Sequence, residues 1–315
     1  PDAPAIAKAS ALIWLDPSRS LDALEVILAS LKNPNEPQLR VAAILALQNY
    51  RDLGSSKNPY TTIRNHVIPL LNDPIRSVRT AAAQVTSEVP SNSWPTGAIT
   101  SFQNALQELE KGLMVNNDRA ATHLTLGSIY ENLGQHAKAE KAYRLAIQVE
   151  PNATGPRSNL AELFTRLAEN MARQYQQTPQ QAPPNLREKI QNYLLEAEIL
   201  RKDEFINFER DASYAPENAA VQYRYGLALY RNNQLDDAVN VLRKVHELEP
   251  RTPIYMIALS RLLQTTGQYE EALEIAEKLI EIEPQHQGFV EELKTQIKKQ
   301  GSEQEPTPPN ASSEG

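Results

Sequence analysis

Five histidines, His66, His123, His136, His246 and His286, are the first places to look for metal or acid–base chemistry in this 315-residue chain. None is set in an HxxxH or HExxH pair, the spacing that puts two ligands on one helix face around zinc. The chain has no cysteine, which removes disulfides, thiolate metal sites and cysteine nucleophiles from these residues. It also has no G-x-S-x-G, no P-loop and no G-x-G-x-x-G. Acidic residues abound, but by periodicity nearly all fall on outward helix faces, where pKa tuning is weak. The sequence therefore predicts no catalytic residue and no metal site. What it offers instead is arginine: Arg157, Arg166, Arg173, Arg224, Arg231 and Arg261, with Asn159, Tyr223 and Asn232 among them. A guanidinium presents a fork of donors that matches a carboxylate, so these residues suit recognition rather than turnover.

Composition narrows what positions them. Helix formers dominate, Gly is scarce and Pro frequent, which predicts many helices with Pro-marked turns. The net charge of −7 argues against nucleic-acid binding. The charge is uneven: up to Pro95 nine basic residues face eight acidic ones, and the acid excess lies downstream, mostly in 270–292. That run is either a solvated helix face or a docking surface for a basic partner. No apolar run approaches the roughly 20 residues that span a bilayer, and no signal peptide is visible. A chain that begins at Pro1 reads as a processed or trimmed piece of a longer one. N-glycosylation patterns occur at 152–154 and 310–312.

The helices come in a repeat. Pro250 and Pro284 stand 34 residues apart, and so do Asn117 and Pro151. Within 120–153, Leu126, Gly127 and Tyr130 fall on a first helix, Gly134 on the turn, and Ala139, Tyr143 and Ala146 on a second helix before Pro151. In 219–252 the same places hold Tyr225, Gly226, Tyr230, Asn233, Ala238, Leu242, Val245 and Pro250. In 253–286 they hold Leu259, Ser260, Leu263, Gly267, Ala272, Ala276, Leu279 and Pro284. Small residues suit a close helix crossing, larger ones fill the gap beside them, and Gly or Asn at the turn suits a left-handed backbone. This pattern resembles the tetratricopeptide repeat, a 34-residue helix–turn–helix unit.

That resemblance implies a superhelical solenoid in which the first helix of each unit lines a concave groove. It places Asn159, Arg166, Tyr223, Arg224, Arg231, Asn232 and Arg261 in the groove as partner-binding candidates. Arg166, Arg224, Arg231 and Arg261 would be polar anchors, with Tyr223 an aromatic platform. Two roles suit the arginines: neutralising Glu162, Glu169 and the second helices, or capturing an acidic segment or a free C-terminal carboxylate. Some family members clamp such a carboxylate with Lys and Asn. Asn159 matches the Asn position, but Leu124 and Ser158 stand where Lys would be.

The remaining segments fit around the repeats. Residues 154–218 begin on pattern with Leu160, Ala161 and Phe164 and end on it with Tyr214 and Pro216, but carry a surplus around the Gln/Pro stretch 176–185. Helix extensions over 163–176 and 186–210 predict a projecting hairpin. Residues 102–115, with Ala105, Leu109 and Gly112, read as a half repeat that seals the start of the array. Phe289, Val290, Leu293 and Ile297 form the apolar stripe of a capping helix over 287–299, and the polar tail 301–315 reads as disordered. Upstream, 31–47 and 71–85 each place Asn or Asp with Pro before a helix bearing Arg40 or Arg79, which resembles HEAT repeats over residues 1–95. Asn33 and Asp73 are suited to cap those turns.

The fold class that follows is all-α, HEAT-like helical pairs continuous with a tetratricopeptide solenoid. The order of segments also resembles the C-terminal region of bacterial multihaem c-type cytochromes, on 70–84 and 116–135. That wider resemblance implies a periplasmic or extracellular location and a non-catalytic scaffold that docks or assembles electron carriers, with a c-type cytochrome as partner. Haem would sit only in an upstream or partner domain. The alternatives are an assembly factor presenting a client protein and a self-associating, filament-forming subunit.

Overall fold

The computed structural model describes residues 3–14, 21–50, 60–177 and 183–304. Among them the chain is all-helical, with no strand. It divides into two compact units, Pro1–Glu204 and Phe205–Gly315. The first holds α1 (Ala5–Trp14), α2 (Leu21–Leu31), α3 (Pro37–Ala46), α4 (Thr61–His66), α5 (Arg76–Thr86), α6 (Ala98–Leu113), α7 (Ala120–Asn132), α8 (His136–Val149) and α9 (Pro156–Gln177). The division falls within α10 (Leu186–Tyr214). The second unit continues with α11 (Ala219–Arg231), α12 (Leu235–Leu248), α13 (Pro253–Thr265), α14 (Tyr269–Ile282) and α15 (Gln287–Gln304).

In the first unit, short Asx turns lead into α3 and α5. Asn33 Oδ1 accepts from the Asn35 amide at 3.1 Å, and Asp73 Oδ1 from the Ile75 amide at 2.9 Å. The two arginines then tie one pair to the next. Arg40 donates through Nε to the Leu31 carbonyl at 3.0 Å and pairs with Asp73, both side chains buried. Arg79 grips the Glu108 carboxylate with two bonds of 2.9 and 2.7 Å, so α5 is fastened to α6. A single apolar core runs from Leu12 through Ile44, Leu71, Val85 and Phe102 to Ile129. α6, read from sequence as a half repeat at the start of the array, packs against α5 and α7, with Trp94 on Phe102 at 4.7 Å. Phe102, Ala105 and Leu109 are bulky or small where the neighbouring helices require it, so burial on both sides is the favourable outcome.

The repeat positions pack as their sizes demand. Gly134, Asn233 and Gly267 have φ of 70°, 59° and 77°, each ending a first helix in the left-handed region. A Cβ on Gly127 would meet Tyr143 Cε1 at 2.3 Å, and one on Gly226 would meet Leu242 Cδ2 at 2.8 Å. In the last repeat the corresponding residues are Ser260 and Ala276, both fully buried. As the first-helix residue grows from Gly to Ser, its second-helix counterpart shrinks from Tyr or Leu to Ala. Tyr214, with which the long segment ends on pattern, is exposed at the end of α10.

The long insertion resolves into length added to two helices. α9 runs 22 residues and α10 29. They meet where Phe164 stacks on Tyr193 at 5.1 Å and Arg201 bonds Thr165 at 2.7 Å. Glu204 is buried and accepts from the Gly155 and Arg157 amides at 2.5 and 3.2 Å, capping α9 with a carboxylate from α10. Part of the Gln/Pro stretch, residues 178–182, lies outside the described residues. At the C-terminus α15 extends through Gln304, so the tail predicted to be disordered from 301 starts as helix, and the rest of it is also outside the described residues.

Candidate functional site

The seven residues expected in a groove separate into three groups. The first is held internally. In the first unit, Asn159 hydrogen-bonds the Tyr143 hydroxyl. Tyr143 Oη in turn donates to Glu131 at 2.7 Å, and Glu131 pairs with Arg166. This network joins α7, α8 and α9 around a ring that is almost wholly buried. Arg166 therefore neutralises Glu131 on the preceding first helix, not Glu162 or Glu169. Its partner lies about one repeat back in the chain, a distance that within-helix spacing does not register. Arg261, in the second unit, sits 3.8 Å over the Phe289 ring, bonds Gln264 at 3.2 Å and faces Glu292 at 3.5 Å. It fastens α13 to α15.

The second group is Asn232, which follows the last residue of α11 and serves as its C-cap, its amide donating to the Ala228 and Leu229 carbonyls at 3.1 Å. The third is Tyr223, Arg224 and Arg231. Arg224 and Arg231 are exposed and make no ion pair among the described residues. Arg224 donates only to the Ala220 carbonyl of its own helix, at 3.3 Å. The Tyr223 ring packs against Tyr255 at 4.9 Å. Burial pushes both phenols up, with Arg231 pulling Tyr223 down and Arg224 pulling Tyr255 down. Both guanidinium charges are thus felt at the tyrosine pair.

Beside this pair lies a trough of about 180 Å³ between α11 and α13. Leu227 and Tyr230 line one wall, Ala258, Leu262 and Thr265 the other, with Leu242 beneath and Arg261 at the rim. Arg224, Leu227 and Arg231 recur at helical spacing on α11, as Ile254, Ala258 and Thr265 do on α13, so the surface is one stripe from each helix. Leu227, Ala258 and Thr265 were not singled out from sequence. Their signal was present, as partly apolar residues on the face opposite the repeat's packing positions.

Two other clefts belong to the first unit. One of about 230 Å³ has Gln48, Gln84, Ser87, Glu88 and Asn159 in its lining, with Leu124 and Ile129 among them. The other, about 360 Å³, is lined by Met114, Leu126, Leu145 and Tyr130, with Lys138 and Lys141 at its edge. Tyr130 Oη donates to Glu110 at 2.9 Å. Burial first and then the Glu110 carboxylate push its pKa up to about 12. A folded-state pKa above the ordinary 10 means the native state holds this proton longer than the unfolded chain does. Stability tied to Tyr130 is complete below pH 10 and falls as pH rises towards 12. In an ultraviolet titration Tyr130 is expected to be among the phenols that ionise late, and Tyr130→Phe is expected to reduce that late component by one phenol.

Among the described residues no cluster of three metal-ligating side chains occurs, and no helix is long and apolar enough to cross a membrane. The tetratricopeptide-repeat family model matches residues 120–153, and a second model of that repeat matches 205–248 and 223–287. The chain carries tetratricopeptide repeats. Such repeats are generally non-catalytic interaction modules, and the fold supports a protein–protein interaction scaffold. A thermophilic tetratricopeptide protein of Thermus thermophilus is 22% identical, with 64% of this chain and 92% of that one covered and a TM-score of 0.38. Yeast Tom70 is 17% identical, with 88% and 59% covered and a TM-score of 0.43. No curated protein matches the chain.

Proposed function

We propose that the α11–α13 face of the second unit binds a protein segment that ends in, or carries, carboxylates next to an apolar side chain. The observation that supports this most is the pair of exposed, unpaired arginines, Arg224 and Arg231, beside an apolar trough in a chain of net charge −7. A guanidinium kept out of local ion pairs in acidic surroundings is available for an incoming carboxylate. The trough is preformed by packed helices, so little backbone ordering opposes binding. Arg166, Arg261 and Asn159 support the frame and leave recognition to the other two arginines and Tyr223.

On the wider resemblance, the partner is a component of an exported multihaem cytochrome system, docked or assembled in the periplasm or outside the cell. A fluorescein-labelled decapeptide rich in Glu, with Leu beside a free C-terminal carboxylate, tests the face by anisotropy. Its C-terminal amide is expected to bind at least about tenfold more weakly, the loss of one charge-assisted hydrogen-bonded group. Arg224→Ala/Arg231→Ala is expected to lower affinity for the free acid similarly. Equal binding of acid and amide, unaffected by the double substitution, would refute the reading.

A further inference from the structure

The trough between α11 and α13 carries more than its arginines. Tyr230, 45% exposed, lines one wall, and the Tyr223–Tyr255 pair packs beside it. Tyrosine faces next to an apolar floor suit proline. Its ring packs flat on them, and its backbone is already extended, so docking orders little chain.

The chain itself supplies a segment of that kind. α15 runs to Gln304, and residues 305–315 read EPTPPNASSEG. They hold Pro306, Pro308 and Pro309 with Glu305 and Glu314, and no basic residue. Arg224 and Arg231 are exposed and make no ion pair among the described residues, so the charges are complementary. Trough and segment both belong to the second unit. α15 touches the trough's rim: Arg261 stands 3.8 Å over Phe289, and Gln264 bonds Glu292 at 2.7 Å and Gln296 at 3.0 Å. From Gln296 to Gln304 the helix advances about 12 Å, at about 1.5 Å per residue. In polyproline form, at about 3.1 Å per residue, 305–314 reach about 31 Å, enough to return to Thr265 and enter the trough.

We infer that residues 305–315 occupy the α11–α13 face of their own chain, the proline run against Tyr230 and the glutamates answering Arg231 and Arg224. This rests on the reading of that face as one that binds carboxylates beside an apolar group, and it names a resident occupant. Tethering to α15 keeps the segment at an effective concentration on the order of millimolar, so a weak contact is filled. An incoming partner must displace it, and the segment sets the affinity that a partner has to exceed.

A chain ending at Gln304 is expected to bind the free-acid decapeptide about tenfold more tightly than the full chain, because its competitor is gone. In the full chain, Pro308→Ala/Pro309→Ala and Glu305→Gln/Glu314→Gln are each expected to recover part of that gain. A nitroxide attached through Ser313→Cys reports the contact directly, since the chain has no other thiol. It is expected to broaden the Nε–Hε signals of Arg224 and Arg231, and excess decapeptide is expected to sharpen them again. With the nitroxide on one chain and the isotope label on another, mixed at equal total concentration, the signals are expected to stay sharp. Broadening in that mixture as strong as within one chain would assign the contact to a second copy and overturn the proposal. Equal decapeptide affinity of full and shortened chains, or signals that stay sharp under the attached nitroxide, would also overturn it. The reading of the face survives those results if Arg224→Ala/Arg231→Ala still weakens the decapeptide, and it fails if the decapeptide binds neither form.

Discussion

Asp73→Ala is expected to destabilise the first unit by about 3–5 kcal/mol, the cost of leaving one member of a buried ion pair alone. Arg40 and Asp73 are each 8% exposed, and Arg40 reaches Asp73 from α3 across to the turn before α5. Removing the carboxylate strands a guanidinium whose remaining described bond is to the Leu31 carbonyl. It also deletes the acceptor for the Ile75 amide, so the Asx turn into α5 loses its side-chain bond. The first unit's melting transition is expected to fall by roughly ten degrees, read by calorimetry or by circular dichroism. Asp73→Asn keeps the turn acceptor but not the charge and is expected to cost less. A drop of under about 1 kcal/mol for the alanine variant would mean that the pair carries no more than an exposed bridge does.

Gly127→Val is the second substitution with a large expected effect, at about 3 kcal/mol or more. A Cβ at this position comes within 2.3 Å of Tyr143 Cε1, and Tyr143 is 1% exposed with its hydroxyl bonded to Glu131. Burial and the hydroxyl bond to Glu131 oppose its withdrawal, and overpacking a well-filled crossing costs about 1–3 kcal/mol even where some relaxation is possible. The last repeat offers a control, since Ser260 and Ala276 stand where Gly127 and Tyr143 do. Gly127→Ser/Tyr143→Ala is expected to be less destabilising than the sum of its two single changes, a coupling seen only between touching residues. Strict additivity in urea unfolding would show that the two positions do not share one volume.

The repeat frame was legible because its requirements are local and recur. A left-handed turn needs Gly or Asn, and Gly134, Asn233 and Gly267 supply it at the same place in three units. A close crossing needs small residues, and Ala139, Ala238 and Ala272 are fully buried, as their spacing required. The capping stripe of α15 and the long helices around the insertion were readable for the same reason. The site was less legible because a side chain's availability depends on partners far away in sequence. Arg166 and Arg231 look alike as arginines on first helices, but Glu131 occupies one and no described carboxylate occupies the other. Arg261 is held by Phe289 and Glu292, residues of a helix read only as a cap. Tyr214 matched the repeat pattern by type and is nonetheless exposed, as the last residue of α10.

The availability of Arg224 and Arg231 can be read atom by atom. Proton–nitrogen correlation spectra of the arginine Nε–Hε groups, recorded while the free-acid decapeptide is titrated into the protein, report each guanidinium separately. The Arg224 and Arg231 signals are expected to shift together and saturably, while Arg166 and Arg261, already held by Glu131 and Glu292, stay in place. Shifts at Arg166 or Arg261 with none at Arg224 and Arg231 would contradict the assignment of the binding face.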